Sequence, residues 1–165
     1  MTVVYTLDSF CLKLLFRRFM GAVTYREMLS VKGTSYFLNI VNYNAGAGAV
    51  ALFASKKKGF GFLESAGVML FLNAMDIFAL ALLVAIGLTL GPDVLSATER
   101  SGLSWTCLVL GLVLLGTIFF WVYKAPFLPR KVRDFRIFYP FRESRVLDYP
   151  FFILLRTLFV VQYVF

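Results

Sequence analysis

Long apolar runs, broken at a few places by polar residues and glycines, set the pattern of this chain. Two runs have the length of a membrane crossing. Phe62–Leu90 is apolar around Glu64, Asn73 and Asp76, and Gly91-Pro92 ends it. Leu103–Tyr123 is apolar apart from Ser104, Thr106 and Thr117, with Trp105, Trp121 and Tyr123 near its ends, where interfacial aromatics belong. A bilayer core of about 30 Å takes about 20 helical residues, so both read as spans over 62–90 and 103–123. A third apolar run, 150–165, contains Arg156. It stops at Phe165 without a polar flank, which is expected of a truncated chain.

Ser35–Ala54 has the length of a span and a different interior. Asn39, Asn42 and Asn44 fall in one half, followed by Gly46 and Gly48, and then Lys56, Lys57 and Lys58. Glycine costs about 1 kcal/mol against alanine inside a helix. Irregular backbone at membrane depth is tolerated where protein surrounds it, so 35–54 reads as a broken or re-entrant element with its break at Gly46 and Gly48. The asparagines either line a polar cavity that receives a lipid headgroup or satisfy backbone groups freed by the break. Met1–Gly21 mixes apolar and basic residues and reads as an interfacial helix or the start of a larger bundle. Ala22–Gly33 reads as a short surface helix with Tyr25 and Met28 on its apolar side. In 124–149 Pro126, Pro129 and Pro140 prevent one continuous helix.

Composition agrees with a membrane setting. The 165 residues are 60% hydrophobic, with a mean hydropathy of +0.80, where a soluble domain is about 45–50% apolar. The fold class expected is an all-α integral membrane protein, a multi-span helical bundle with a broken or re-entrant element. The net charge of +8 gathers beside apolar runs, as the positive-inside rule describes, and so points to a membrane and not to nucleic acid. That rule puts 55–59 and 124–149 in the cytoplasm and Asp93–Gly102 outside, as a short polar loop. Cys11 and Cys107 lie in apolar surroundings and read as buried thiols. With no histidine and one central acid, the chain offers no catalytic set and calls for no cofactor or metal.

Asp76 is the leading candidate for function. An acid at the centre of a spanning helix costs roughly 2.5–3.5 kcal/mol on insertion scales, so it faces protein or water. Asn73 lies three residues earlier on the same helix face, which Leu80 and Gly87 continue. Glu64 is nine residues before Asn73, on the opposite side and near the helix start, where the dipole favours an anion. Asp76 reads as a polar contact in a substrate path or a proton site, or else as a structural ion pair. Its obvious partner is Arg156, but from a common cytoplasmic entry Asp76 lies ~21 Å deep and Arg156 ~9 Å. That difference favours an Arg156 that snorkels to the inner interface. Lys56, Lys57 and Lys58 either meet anionic headgroups or simply anchor the topology. Gly46–Ala51 fits a loose dinucleotide pattern, G-x-G-x-x-A, but stands in a membrane-length run and reads as close packing at small residues.

Over Thr24–Leu90 the layout resembles the membrane region of the lysylphosphatidylglycerol synthetase and flippase-like family. The resemblance rests on Tyr25-Arg26 and Val31-Lys32-Gly33, then Asn42-Tyr43-Asn44-Ala45-Gly46-Ala47-Gly48, then Lys57-Lys58-Gly59, Glu64 and the helix bearing Asp76. Asp76 looks like the last residue of the family's acid-Arg-x-x-Asp arrangement, with Asn73 in place of the Arg and Leu72 in place of the acid. The Pro and Glu of the family's Pro-Gly…Gly-Glu motif are absent, and Asn44-Ala45 precede Gly46. The resemblance implies a helical multi-span bundle with re-entrant hairpins that admits or translocates a phospholipid or lipid-linked headgroup. Asn39, Asn42, Asn44, Gly46, Gly48, Lys56, Lys57, Lys58, Asn73 and Asp76 are then the candidate lipid contacts. The expected partners are membrane lipids with anionic headgroups and other membrane subunits, in a bacterial-type cytoplasmic membrane. The alternative is a non-catalytic structural subunit of a larger membrane complex.

Overall fold

A computed structural model describes residues 2–21, 23–41, 43–91, 96–122 and 135–161, and among these the chain is helical without a strand. The helices are α1 (Thr2–Phe19), α2 (Tyr25–Val41), α3 (Tyr43–Lys58), α4 (Phe62–Leu90), α5 (Ala97–Val122), α6 (Tyr139–Glu143) and α7 (Asp148–Val161), with a 3-10 turn at Arg136–Phe138. They fall into two compact units, Met1–Asn73 with Pro126–Ser144, and Ala74–Ala125 with Arg145–Phe165.

In the first unit α1 contributes one face to the core, as the start of a larger bundle would. Leu12, Leu15, Phe16 and Phe19 are buried at the i, i+3, i+4, i+7 spacing of one helix face, and α1 packs against α2. On α2 the same spacing buries Met28, Val31 and Ser35. A capping box starts α2: Thr24 donates through its N–H (2.9 Å) and Oγ1 (2.8 Å) to Glu27 Oε2, and the Glu27 N–H returns to Thr24 Oγ1 (3.4 Å).

Gly46 and Gly48 are not the break expected over 35–54. The helix predicted to stop near Gly33 runs on to Val41, and the next begins at Tyr43. Gly46 and Gly48 therefore sit inside continuous α3, where Gly46, Val50, Ala51 and Ala54 are buried. Packing of this small-residue face along α2 offsets the low helix propensity of glycine. With no strand before it, the Gly46–Ala51 pattern is not a dinucleotide loop. Gly59, at φ 71°, closes α3 in the left-handed conformation that suits glycine after a helix end.

The N-terminal part of α4 buries Val68, Met69, Phe71 and Leu72 in the same unit. The 135–143 segment docks here. A Cβ on Gly67 would collide with the Ile137 carbonyl oxygen, so only glycine admits this approach. The Phe71 ring packs edge-on against Phe141 (5.2 Å between centroids) and Phe19 (5.3 Å), and Tyr139 donates its hydroxyl to the Phe19 carbonyl at 3.1 Å.

In the second unit the remainder of α4 buries Met75, Phe78, Ala79 and Leu88, and α7 buries Tyr149, Phe152, Ile153, Arg156 and Phe159 on one face. The loop expected over Asp93–Gly102 is already helix from Ala97, so the span predicted from 103 begins earlier. The cause is a second capping box: Ser96 donates from N–H (3.0 Å) and Oγ (2.5 Å) to Glu99 Oε2. α7 opens at Asp148, whose Oδ2 accepts the Arg145 N–H at 2.7 Å. Its 14 residues extend about 21 Å, against about 30 Å for a full crossing; residues 162–165 lie outside the described residues.

Two described helices are long and apolar enough to cross a membrane, Phe62–Leu90 and Ala97–Phe119. Only 28% of the apolar stretch of α4 is buried within the protein, and none of that of α5. Such faces, exposed to water, would form an apolar patch far beyond what a soluble monomer carries.

Candidate functional site: an ion pair beside an apolar cavity

Asp76 sits where α4 is most apolar, and its partner comes from α7. The Arg156 Nε donates to Asp76 Oδ1. The Arg156 side chain is 6% exposed and that of Asp76 23%. The Arg156 guanidinium also lies 4.2 Å from the centre of the Phe159 ring, one turn further along α7, a cation–π contact that covers its far side. Arg156 therefore does not snorkel to an interface. The contact puts the two side chains at one level, whatever the number of residues between each and the start of its helix. The attraction between the two opposite charges offsets part of what it costs to take each out of water, and either charge left without the other would bear that cost in full.

Beside the pair lies an open cavity of ≈ 510 Å³ between α4, α5 and α7. Phe78, Ala81, Leu82 and Ala85 line it from α4, Cys107, Gly111 and Leu114 from α5, and Pro150, Ile153 and Leu154 from α7. Its volume lies within the roughly 300–1,000 Å³ of small-molecule sites. Its walls are apolar. The Cys107 thiol, half-buried and not fully buried as expected, is 3.4 Å from the Ala81 carbonyl oxygen, its hydrogen-bond acceptor. Asp76 and Arg156 are not among the residues lining the cavity; Phe78 follows Asp76 by two residues and Ile153 precedes Arg156 by three, so the cavity begins within about one helical turn of the pair along α4 and α7.

The other expected contacts are distributed differently. Asn73 shares the face of Asp76 and is half-buried. Asn39 lies on α2 and Asn44, Gly46 and Gly48 on α3, all in the first unit. Lys56 is exposed in the last turn of α3. Asn42, and the side chains of Asn39, Asn44, Lys57 and Lys58, lie outside the described residues. Glu64 occupies the first turn of α4, as its position predicted.

One buried polar cluster escaped the sequence reading. Asp8 on α1, 3% exposed in its side chain, takes Lys32 Nζ at 2.7 Å and the Tyr36 hydroxyl at 3.0 Å, both from α2. Lys32 and Tyr36 stand four residues apart, on one helix face, which was the available signal; nothing in sequence tied them to Asp8. The cluster joins α1 to α2 and lies in the first unit. Among the described residues no group of three His, Cys, Asp or Glu side chains is placed to hold a metal ion. No protein-family model, curated protein or solved structure matches this chain.

Proposed function

We propose that this chain is a non-catalytic, multi-pass membrane protein that engages phospholipid, with a flippase-like layout. The observation that carries this reading is an apolar cavity that begins within about one helical turn of the Asp76–Arg156 pair on α4 and α7. A ligand with an apolar chain and a charged head matches such a junction: the chain fills the cavity, and the head competes for Arg156 or Asp76. The exposed apolar surface of α5 fits the same setting, because lipid satisfies it without cost. The basic segments set the orientation, with 55–59 and 124–149 in the cytoplasm and the α4–α5 connection outside. The test is translocation of a headgroup-labelled phospholipid in vesicles holding the purified chain. Asp76→Ala should abolish it while expression survives; unchanged translocation by a folded variant would sink the reading.

A second reading, a structural subunit of a membrane complex, has its own support. Asp76 is already neutralised within the chain, so the pair needs no ligand, and α5 offers a bare apolar face to a partner helix. In that case one fixed partner co-purifies in mild detergent and is lost when Leu108 and Leu112, exposed on α5, are replaced by bulkier tryptophans.

A further inference from the structure

Folding gathers basic side chains from the two ends of the chain. The C-terminal turn of α1 carries Arg17 and Arg18. The segment Phe135–Glu143 carries Arg136 and Arg142, more than a hundred residues later. Arg18 donates through its guanidinium to the Glu143 carbonyl at 3.4 Å, and Tyr139 donates to the carbonyl of Phe19, next to Arg18. The two basic segments are therefore side by side within the first unit. Arg17 and Arg136 are exposed, and Arg18 and Arg142 half-buried. Among the described residues of these two segments the one acid is Glu143, which meets Arg142 at 3.6 Å with its own carboxylate half exposed, so the described charges of the group sum to a positive value.

The depth of this group is set by α4. The segment is locked against Gly67 and Phe71. Gly67 is five residues, about 8 Å, from the start of α4 at Phe62. If α4 crosses the bilayer, the segment lies at its entry, where headgroups sit. The aromatic content suits that level. The Phe135 ring is exposed, Arg142 stacks over the Tyr139 ring at 5.9 Å, and Arg18 over Phe19 at 5.5 Å. Such pairs hold the cations at the edge of an apolar surface. A topology signal needs only basic residues near a span in sequence; it does not require α1 to be drawn to the same place.

We propose that Arg17, Arg18, Arg136 and Arg142 form one surface that binds the phosphate-bearing headgroups of anionic phospholipids at the membrane entry of α4. This rests on the membrane reading above and adds its lipid class and a place separate from the cavity. A basic residue near an anionic surface contributes about fivefold in affinity, so removing two should weaken binding about 25-fold.

The test is native mass spectrometry of the full chain released from neutral detergent, titrated with phosphatidylglycerol, phosphatidylcholine or inorganic phosphate. Phosphatidylglycerol should bind in preference to phosphatidylcholine, and less tightly as salt rises. Arg17→Gln with Arg136→Gln, both exposed, should weaken phosphatidylglycerol binding about 25-fold with the unfolding temperature unchanged. Arg18→Gln with Arg142→Gln should do the same with a small loss of stability, and Arg100→Gln on α5 should change nothing. Equal binding of the two lipids overturns the proposal, as does full retention by both double variants. Inorganic phosphate binding as tightly as the lipid also overturns it, since the surface would then be an ion site. Extraction of the chain from membranes by alkaline carbonate would strike the membrane reading itself; retention with no lipid preference strikes this proposal alone.

Discussion

Replacing Arg156 by methionine removes one half of the Asp76–Arg156 pair and leaves the Asp76 carboxylate without that counter-charge. The cost follows from burial. Breaking a buried pair from one side costs about 3–5 kcal/mol, because the remaining charge keeps its desolvation cost and loses the attraction that offset it. With the Asp76 side chain 23% exposed, the lower end applies, about 3 kcal/mol. Asp76→Leu strands Arg156, which is buried more deeply and should cost at least as much. The double variant Asp76→Leu with Arg156→Met leaves no charge behind and should return to near the parent stability, or exceed it by ~1–4 kcal/mol. In a chain of 165 residues each kcal/mol moves the unfolding midpoint by roughly 2–4 °C, so each single variant should lose roughly 6–12 °C. The assay is thermal unfolding in a neutral detergent for all four members of the cycle. Single variants within about 0.5 kcal/mol of the parent, with strictly additive effects in the double, would refute the reasoning, because residues in contact must couple.

Gly67→Ala should destabilise by about 1–3 kcal/mol, since its Cβ meets backbone and not a movable side chain; trypsin cleavage after Arg136 and Arg142 should accelerate in parallel. Asp8→Leu strands Lys32 and should lower the unfolding midpoint more than Tyr36→Phe, which removes one hydrogen bond to a charged group worth about 1.5–3 kcal/mol; the same thermal assay ranks them. Ser96→Ala removes a helix cap worth about 1 kcal/mol, with a loss of a few degrees at most. A maleimide in detergent should label half-buried Cys107 in the folded protein and reach Cys11, 1% exposed, only on unfolding; labelling of both at equal rates would contradict the burial of α1.

The long helices were legible because a run of more than 20 apolar residues admits few other structures. α4 begins and ends at Phe62 and Leu90, where the pattern put it, and Met28 faces inward as its spacing indicated. Helix starts follow the caps more closely than the apolar pattern. Thr24-x-x-Glu27 and Ser96-x-x-Glu99 carry the capping pattern in plain sight, and each moves a boundary. The break in 35–54 was assigned to glycines by propensity, but tertiary packing of a small-residue face overrode that local cost in α3. The two members of the Asp76–Arg156 pair stand out in sequence as charges in apolar helices, but their contact does not, because sequence gives the position of a residue along its helix and not the offset between helices. The Asp8–Lys32–Tyr36 cluster and the arginine surface were out of reach for a related reason: each depends on which helix faces are brought together, and none of their residues is unusual by itself.

The most direct measurement of the central claim is photo-crosslinking in vesicles with a phospholipid that carries a photoreactive group near the end of one acyl chain. Peptide mapping should find adducts concentrated on the cavity wall, at Ala81, Ala85, Leu114 and Ile153, and reduced when Leu82 and Gly111 are enlarged to fill the space. Adducts spread evenly over exposed Leu108, Leu112 and Leu115, with no enrichment at the cavity, would mean that lipid merely surrounds the protein and does not enter the site beside Asp76 and Arg156.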